Sequence, residues 1–194
     1  MPRPNIWNVK IFIYLSQISI LATMAVCTLI LPNVAETNGG VSNFGNHPST
    51  VALYSLGFSL CALSLWIAGH FILIILPKSK FLTYILFFLG ELYLLILLST
   101  FPREYSFAYS RAHDYLGIAL YAAEFVFSIW ITGKIHRPKA FVAFFLTTCG
   151  MFVGLLSILK VVDLLFIGQA IGEVGFAIVL CTGLPLILLS SKTD

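Results

Sequence analysis

The stretch Phe81–Phe101 reads FLTYILFFLGELYLLILLSTF and carries a single charge, Glu91. A helix rises about 1.5 Å per residue, so a segment of this length spans a hydrocarbon core of about 30 Å. The polar flanks Lys78, Lys80 and Arg103 bound it, with Pro77 and Pro102 at its ends. A fixed φ and a missing N–H do least harm at a boundary. This is the signature of a transmembrane helix, and the rest of the chain repeats it.

Working outward, five more such segments appear, at about Ile11–Leu31, Thr50–Leu76, Asp114–Ile135, Ala140–Ile158 and Gly168–Ser190. Pro32, Pro48 and Pro138 mark further ends, and Pro185 falls inside the last span. The first span follows Arg3 and Lys10, as a signal peptide would, but its apolar run exceeds the 7–15 residues of an h-region, so it reads as a retained helix. Of 194 residues, 59% are hydrophobic and 10% charged. Mean hydropathy is +0.99. A soluble domain carries about 25% charged residues. Composition therefore excludes a soluble globular domain, a disordered chain and a disulfide-stapled secreted module. The expected fold is an all-α bundle of six transmembrane helices in one domain, residues 1–194.

Charge sets the expected orientation. Arg3, Lys10, Lys78, Lys80, Lys134, Arg137, Lys139 and Lys192 lie on one side of the spans. Arg103, Arg111 and Lys160 lie on the other, eight against three. The positive-inside rule then places both termini in the cytoplasm. The net charge of +3 holds no basic run, so no nucleic-acid partner is expected. Short loops point to a multi-pass protein of a bacterial inner (plasma) membrane. Cys27, Cys61, Cys149 and Cys181 sit singly in apolar runs, with no CxxC, and read as packing residues.

Helices in lipid associate through small residues and polar contacts. Gly150 and Gly154 form one GxxxG, and Gly168 and Gly172 another, followed by Gly175. Packing within the chain is their first use, and the same seams would also serve a homo-oligomer.

Three carboxylates lie within spans: Glu91, Glu124 and Glu173. Each costs about 2.5–3.5 kcal/mol at mid-bilayer. They pair, or they line a polar cavity. His113, Gly117, Tyr121 and Glu124 recur at steps of four, four and three, so they share one helix face, which Ser128 extends. Gln169 and Glu173 are i,i+4 neighbours and expected to hydrogen-bond. These residues predict a polar pocket open to the extracytoplasmic side between spans three, four and six. Arg103, Arg111 and Lys160 at its mouth would attract an anionic head group, with Asp114 and Asp163 beside them. The ligand-binding set is then Glu91, Arg103, Arg111, His113, Asp114, Tyr121, Glu124 and Glu173, with membrane lipid as the partner. The competing view is that the charges pair only to fix register. His47, His70 and His136 stand apart. No cofactor or metal site is expected, because His113 and Asp114 are adjacent and diverge by about 100° on a helix. There is no GxSxG or phosphate-cradling loop, and whether the chain is an enzyme is left open.

The first outer loop, Val41-Ser42-Asn43-Phe44-Gly45-Asn46-His47-Pro48, runs straight into the second span. The third begins Phe101-Pro102 and continues to His113-Asp114-Tyr115-Leu116-Gly117. In this order and on one side, these stretches resemble the six-helix FRAG/DRAM-type membrane proteins and their bacterial relatives. The resemblance covers spans one to four. It implies that Ser42, Gly45, Pro48, Phe101, Pro102 and His113 are the pattern residues, and that the work is lipid-related without naming a reaction. A lipid-binding or lipid-handling protein is the leading expectation. A small proton-coupled transporter and a structural or assembly subunit are the rivals.

Overall fold

The computed structural model describes residues 5–36, 40–77, 79–101, 106–135, 138–158 and 164–190. No strand occurs among them. The helices are α1 (Ile6–Ile30), α2 (Pro32–Glu36), α3 (Val51–Ile75), α4 (Lys80–Thr100), α5 (Phe107–Ile135), α6 (Pro138–Ile158) and α7 (Leu165–Ser190), with a 3-10 segment at Val41–Asn46. Five of them, α1, α3, α4, α5 and α7, are long and apolar enough to cross a membrane, and α6 contains a shorter apolar run, Phe141–Ser157. The chain is therefore an all-α protein whose helices fit a multi-pass membrane bundle.

Local chemistry sets the ends. Asn5 caps α1 by accepting from the Asn8 N–H at 3.1 Å. At the start of α5, Ser106 Oγ accepts from the Ala108 N–H at 3.3 Å. Two helix starts differ most from expectation. α1 starts five residues earlier, at Ile6, and α5 starts seven earlier, at Phe107. In α5 the added turns carry Ser110 and Arg111, which lower the hydropathy without opposing a helix. The loop expected up to His113 therefore ends before it, and His113 lies inside a helix.

Contacts show how neighbours run. Gly69 lies against Thr83 and Phe87, and Gly90 against Trp66 and Ala62, so α3 and α4 form an antiparallel hairpin. In α6 and α7, Gly150 meets Gly172 and Gly154 meets Gly168, again antiparallel. Gly175 meets Thr147 on the same line. Both GxxxG pairs thus face each other within the chain, and α6 and α7 make its most extensive helix contact. Gly150, Gly168 and Gly175 carry the approach. A Cβ on Gly150 would overlap the Gly172 backbone, and one on Gly168 would stand 2.5 Å from Gly154 N, whereas one on Gly154 meets nothing.

The core has an apolar end and a polar middle. Ile13, Leu65, Ile72, Leu86, Leu89 and Ile131, carried on α1, α3, α4 and α5, are fully buried. The 3-10 segment closes the other end. Phe44 is buried and meets Phe166 edge to face at 6.0 Å. Gly45 presses on the Tyr54 ring and Thr100, where a Cβ would come within 2.6–2.7 Å. Gly45 thus serves close approach. Thr50 Oγ1 donates to Phe44 O at 2.7 Å, tying the segment to the start of α3.

Candidate functional site

Below the 3-10 segment, three helices bring titratable side chains together. Glu124 of α5 is fully buried and Glu173 of α7 nearly so. Tyr93 of α4 lies between them. Its hydroxyl stands 2.8 Å from Glu124 Oε1 and 3.0 Å from Glu173 Oε2. Phe58 of α3 sits edge-on to the Tyr93 ring at 5.8 Å and lies tilted against Tyr54 at 4.2 Å, so the phenol is held on its apolar side. Glu124 Oε2 is buried with no hydrogen-bond partner, as are Ser128 Oγ and Thr132 Oγ1 on the same face of α5. A buried carboxylate oxygen without a donor is costly unless something else satisfies it.

A polar cavity of about 60 Å³ adjoins the pair. Ser42, Tyr54, His113, Tyr121, Gln169 and Glu173 supply its polar walls, and Ile20, Met24 and Phe58 part of its apolar ones. His113 is buried, with Nδ1 2.9 Å from Ser99 Oγ of α4. Gln169 does not go to Glu173 as expected. Its Oε1 accepts from the Val41 N–H at 2.7 Å, so it latches the 3-10 segment onto α7. The competing partner is a backbone N–H at a segment start, a donor to the Gln169 carbonyl that sequence spacing does not reveal.

A second, larger cavity of about 270 Å³ opens along the outside of α5 and α6. Its wall is apolar, from Ile118, Ala122, Phe125, Met151, Phe152 and Leu155, with Thr148 and Tyr121 as the polar exceptions. Tyr121 lines both spaces. One side chain therefore separates a carboxyl-walled cavity from a groove of acyl-chain character.

The eight expected residues divide. His113, Tyr121, Glu124 and Glu173 come together. Glu91 does not: it is exposed on the outside of α4. Arg111 is exposed, with its guanidinium 4.8 Å above the Phe107 ring. It points away because it precedes buried His113 by two residues, about 200° around the helix. Asp114 is exposed at the same level. Arg103, Lys160 and Asp163 lie outside the described residues, so the cationic mouth is represented there by Arg111 alone. Among the described residues, no three His, Cys, Asp or Glu side chains converge in a way that could hold a metal.

The residue that sequence reading missed is Tyr93. It lies two positions after Glu91, on the opposite face of α4. A tyrosine at mid-span, far from any interfacial belt, was the available signal, because a buried phenol needs a partner. Ser99, which orients His113, was equally unmarked.

No family model matches this chain, and no curated protein and no solved structure matches it.

Proposed function

We propose that this protein binds a single amphiphile, with a hydrogen-bond-donating polar end in the cavity and an apolar chain in the α5/α6 groove. The observation that carries this reading is Tyr121, shared by a carboxyl-walled cavity and an apolar groove. The walls prefer a donor or a cation. Glu173 is an acceptor and Tyr121 can act as one, and the cavity's described lining contains no Lys or Arg. An amine or hydroxyl head of a membrane lipid fits that chemistry, and a bare phosphate does not. The anionic-head reading is thus narrowed to the exposed rim at Arg111. We place the cavity on the extracytoplasmic side, with six spans and both termini inside, on the eight-to-three charge asymmetry. The resemblance to FRAG/DRAM-type proteins agrees with lipid-related work and is part of the same proposal.

A matched pair of probes tests it: a long-chain primary amine and the fatty acid of equal chain length. The amine raises the thermal midpoint of the parent protein, the acid does not, and Glu173→Gln abolishes the difference. Ligand at 100 times its Kd stabilises by about 2.7 kcal/mol. Equal shifts from both probes would contradict the assignment of the cavity.

Proton coupling is the second reading, and Tyr93 favours it. A phenol has one hydrogen, and two carboxyl oxygens face it at hydrogen-bonding distance. If both contacts are hydrogen bonds, one carboxyl carries a proton. Ser128 and Thr132 continue from Glu124 at i+4 and i+8, about 6 Å apart along the axis, a spacing that one bridging water can span. Substrate-dependent proton uptake into vesicles, removed by Glu124→Gln, supports this reading. Uptake unchanged by that substitution excludes it.

A further inference from the structure

Gly117 lies inside α5 and lines the carboxyl-walled cavity. A Cβ built on it would meet nothing within 4 Å, whereas one on Gly45, Gly57, Gly90, Gly150 or Gly168 would press on a neighbour. Glycine inside a helix is destabilising relative to alanine, because its unfolded backbone has more freedom to lose. Close packing accounts for the other five glycines and does not account for Gly117. What sets it apart is the open space above it.

That space lies within reach of Tyr121. A helical side chain covers the turn N-terminal to its own Cα, on the side of its i−3 and i−4 neighbours, through the two χ1 rotamers that a helix favours. For Tyr121 those neighbours are Ile118 and Gly117. Ile118 lines the apolar groove, and Gly117 lines the cavity. The ring therefore has a resting place on either side of the boundary it forms. The place over Gly117 is open, since no side-chain atom comes within 4 Å of a Cβ there. Gln169 hydrogen-bonds the Tyr121 hydroxyl, and a donor at the polar end of a ligand can take over that bond.

We infer that Tyr121 is a gate with Gly117 as its clearance, and that the ligand enters the cavity sideways from the membrane, through the α5/α6 groove. This route rests on the amphiphile reading of the two spaces. A ligand lying on both sides of Tyr121 has to pass it from whichever direction it arrives. Tyr121 is the one described residue common to both linings, so its rotation joins them. Entry from the outer face asks for more. The 3-10 segment must lift as well, which breaks the bond from the Val41 N–H to Gln169, the Phe44–Phe166 contact and the bond from Thr50 Oγ1 to Phe44 O.

Ligand exchange tests the route. Protein in lipid particles is loaded with a long-chain primary amine, mixed with vesicles holding the deuterated amine, and followed by native mass spectrometry. Gly117→Val fills the clearance and slows loading and exchange about tenfold, the scale of modest overpacking, so that Kd changes less than either rate. Gly117→Ala, whose Cβ has room, slows them less. Gly40→Cys combined with Leu165→Cys ties the 3-10 segment to α7 on oxidation, because a Gly40 Cβ stands 3.2 Å from Leu165 Cδ2. The oxidised lock leaves exchange at the parent rate. Exchange stopped by the oxidised lock, or rates indifferent to Gly117→Val, would overturn the sideways route and leave the amphiphile reading standing. A parent that takes up the amine no better than the fatty acid of equal length overturns that reading, and the route with it. Should Gly117→Val fail to fold, Gly117→Ala and the lock decide.

Discussion

Helix α7 shows two ways of holding a membrane helix in place. Toward α6 it presents Gly168, Gly172 and Gly175, and the fit is one of shape, with backbone close against backbone. Toward α4 and α5 it presents Glu173, and the fit is one of hydrogen bonds, through a phenol that serves two carboxyls. The first contact is complete in itself. The second leaves Glu124 Oε2 buried without a donor. Packing alone gives no reason to keep such an atom, since apolar residues of similar volume are often at least as stable as buried charge. The contrast separates the part of α7 that supports the bundle from the part that has work to do.

The comparison can be broken first at the glycines. Gly150→Ala forces a Cβ into the Gly172 backbone and lowers unfolding stability by about 3 kcal/mol, the upper range for overpacking. Gly154→Ala, one turn away in the same motif, changes it by less than about 0.5 kcal/mol, because its Cβ meets nothing. Equal effects in denaturant titrations would mean that α6 and α7 cross elsewhere. Next comes Tyr93→Phe. It removes the donor from two buried carboxyls and costs about 2 kcal/mol, within the range for bonds to charged groups. It also removes the stabilisation by a long-chain amine, which the glycine variants that fold retain. Gln169→Leu is milder, about 1 kcal/mol, since one hydrogen bond to Val41 is lost. Its distinguishing readout is faster hydrogen exchange at the Val41 amide with the α6/α7 amides unchanged. Arg111→Ala is smallest, below about 0.5 kcal/mol, because its partner is one exposed ring. A large loss of amphiphile binding there would move the site from the cavity to the rim.

Much of this was legible in the residues. Hydropathy marked the α3 and α4 cores, and the steps from His113 to Glu124 marked the inward face of α5. The glycine motifs identified the two helices that approach each other most closely. Other features depend on three-dimensional partners that spacing does not encode. Glu91 and Tyr93 are two residues apart in one apolar run, and only the positions of α3, α5 and α7 decide which faces inward. Gln169 had two possible partners, a carboxyl one turn away and a backbone N–H 128 positions back in the chain, and it accepts from the distant one. Arg111 looked like part of the mouth because a loop was expected there. Once α5 begins at Phe107, helical geometry turns Arg111 away from His113.

The most direct test of the central claim is mass spectrometry of the lipids retained by gently purified protein, for the parent and for Tyr121→Ala combined with Glu173→Gln. The account predicts that the parent is enriched in one lipid class with an amine or hydroxyl head, and that the double variant, though folded, retains only bulk lipid. The same bulk mixture on both proteins would contradict it.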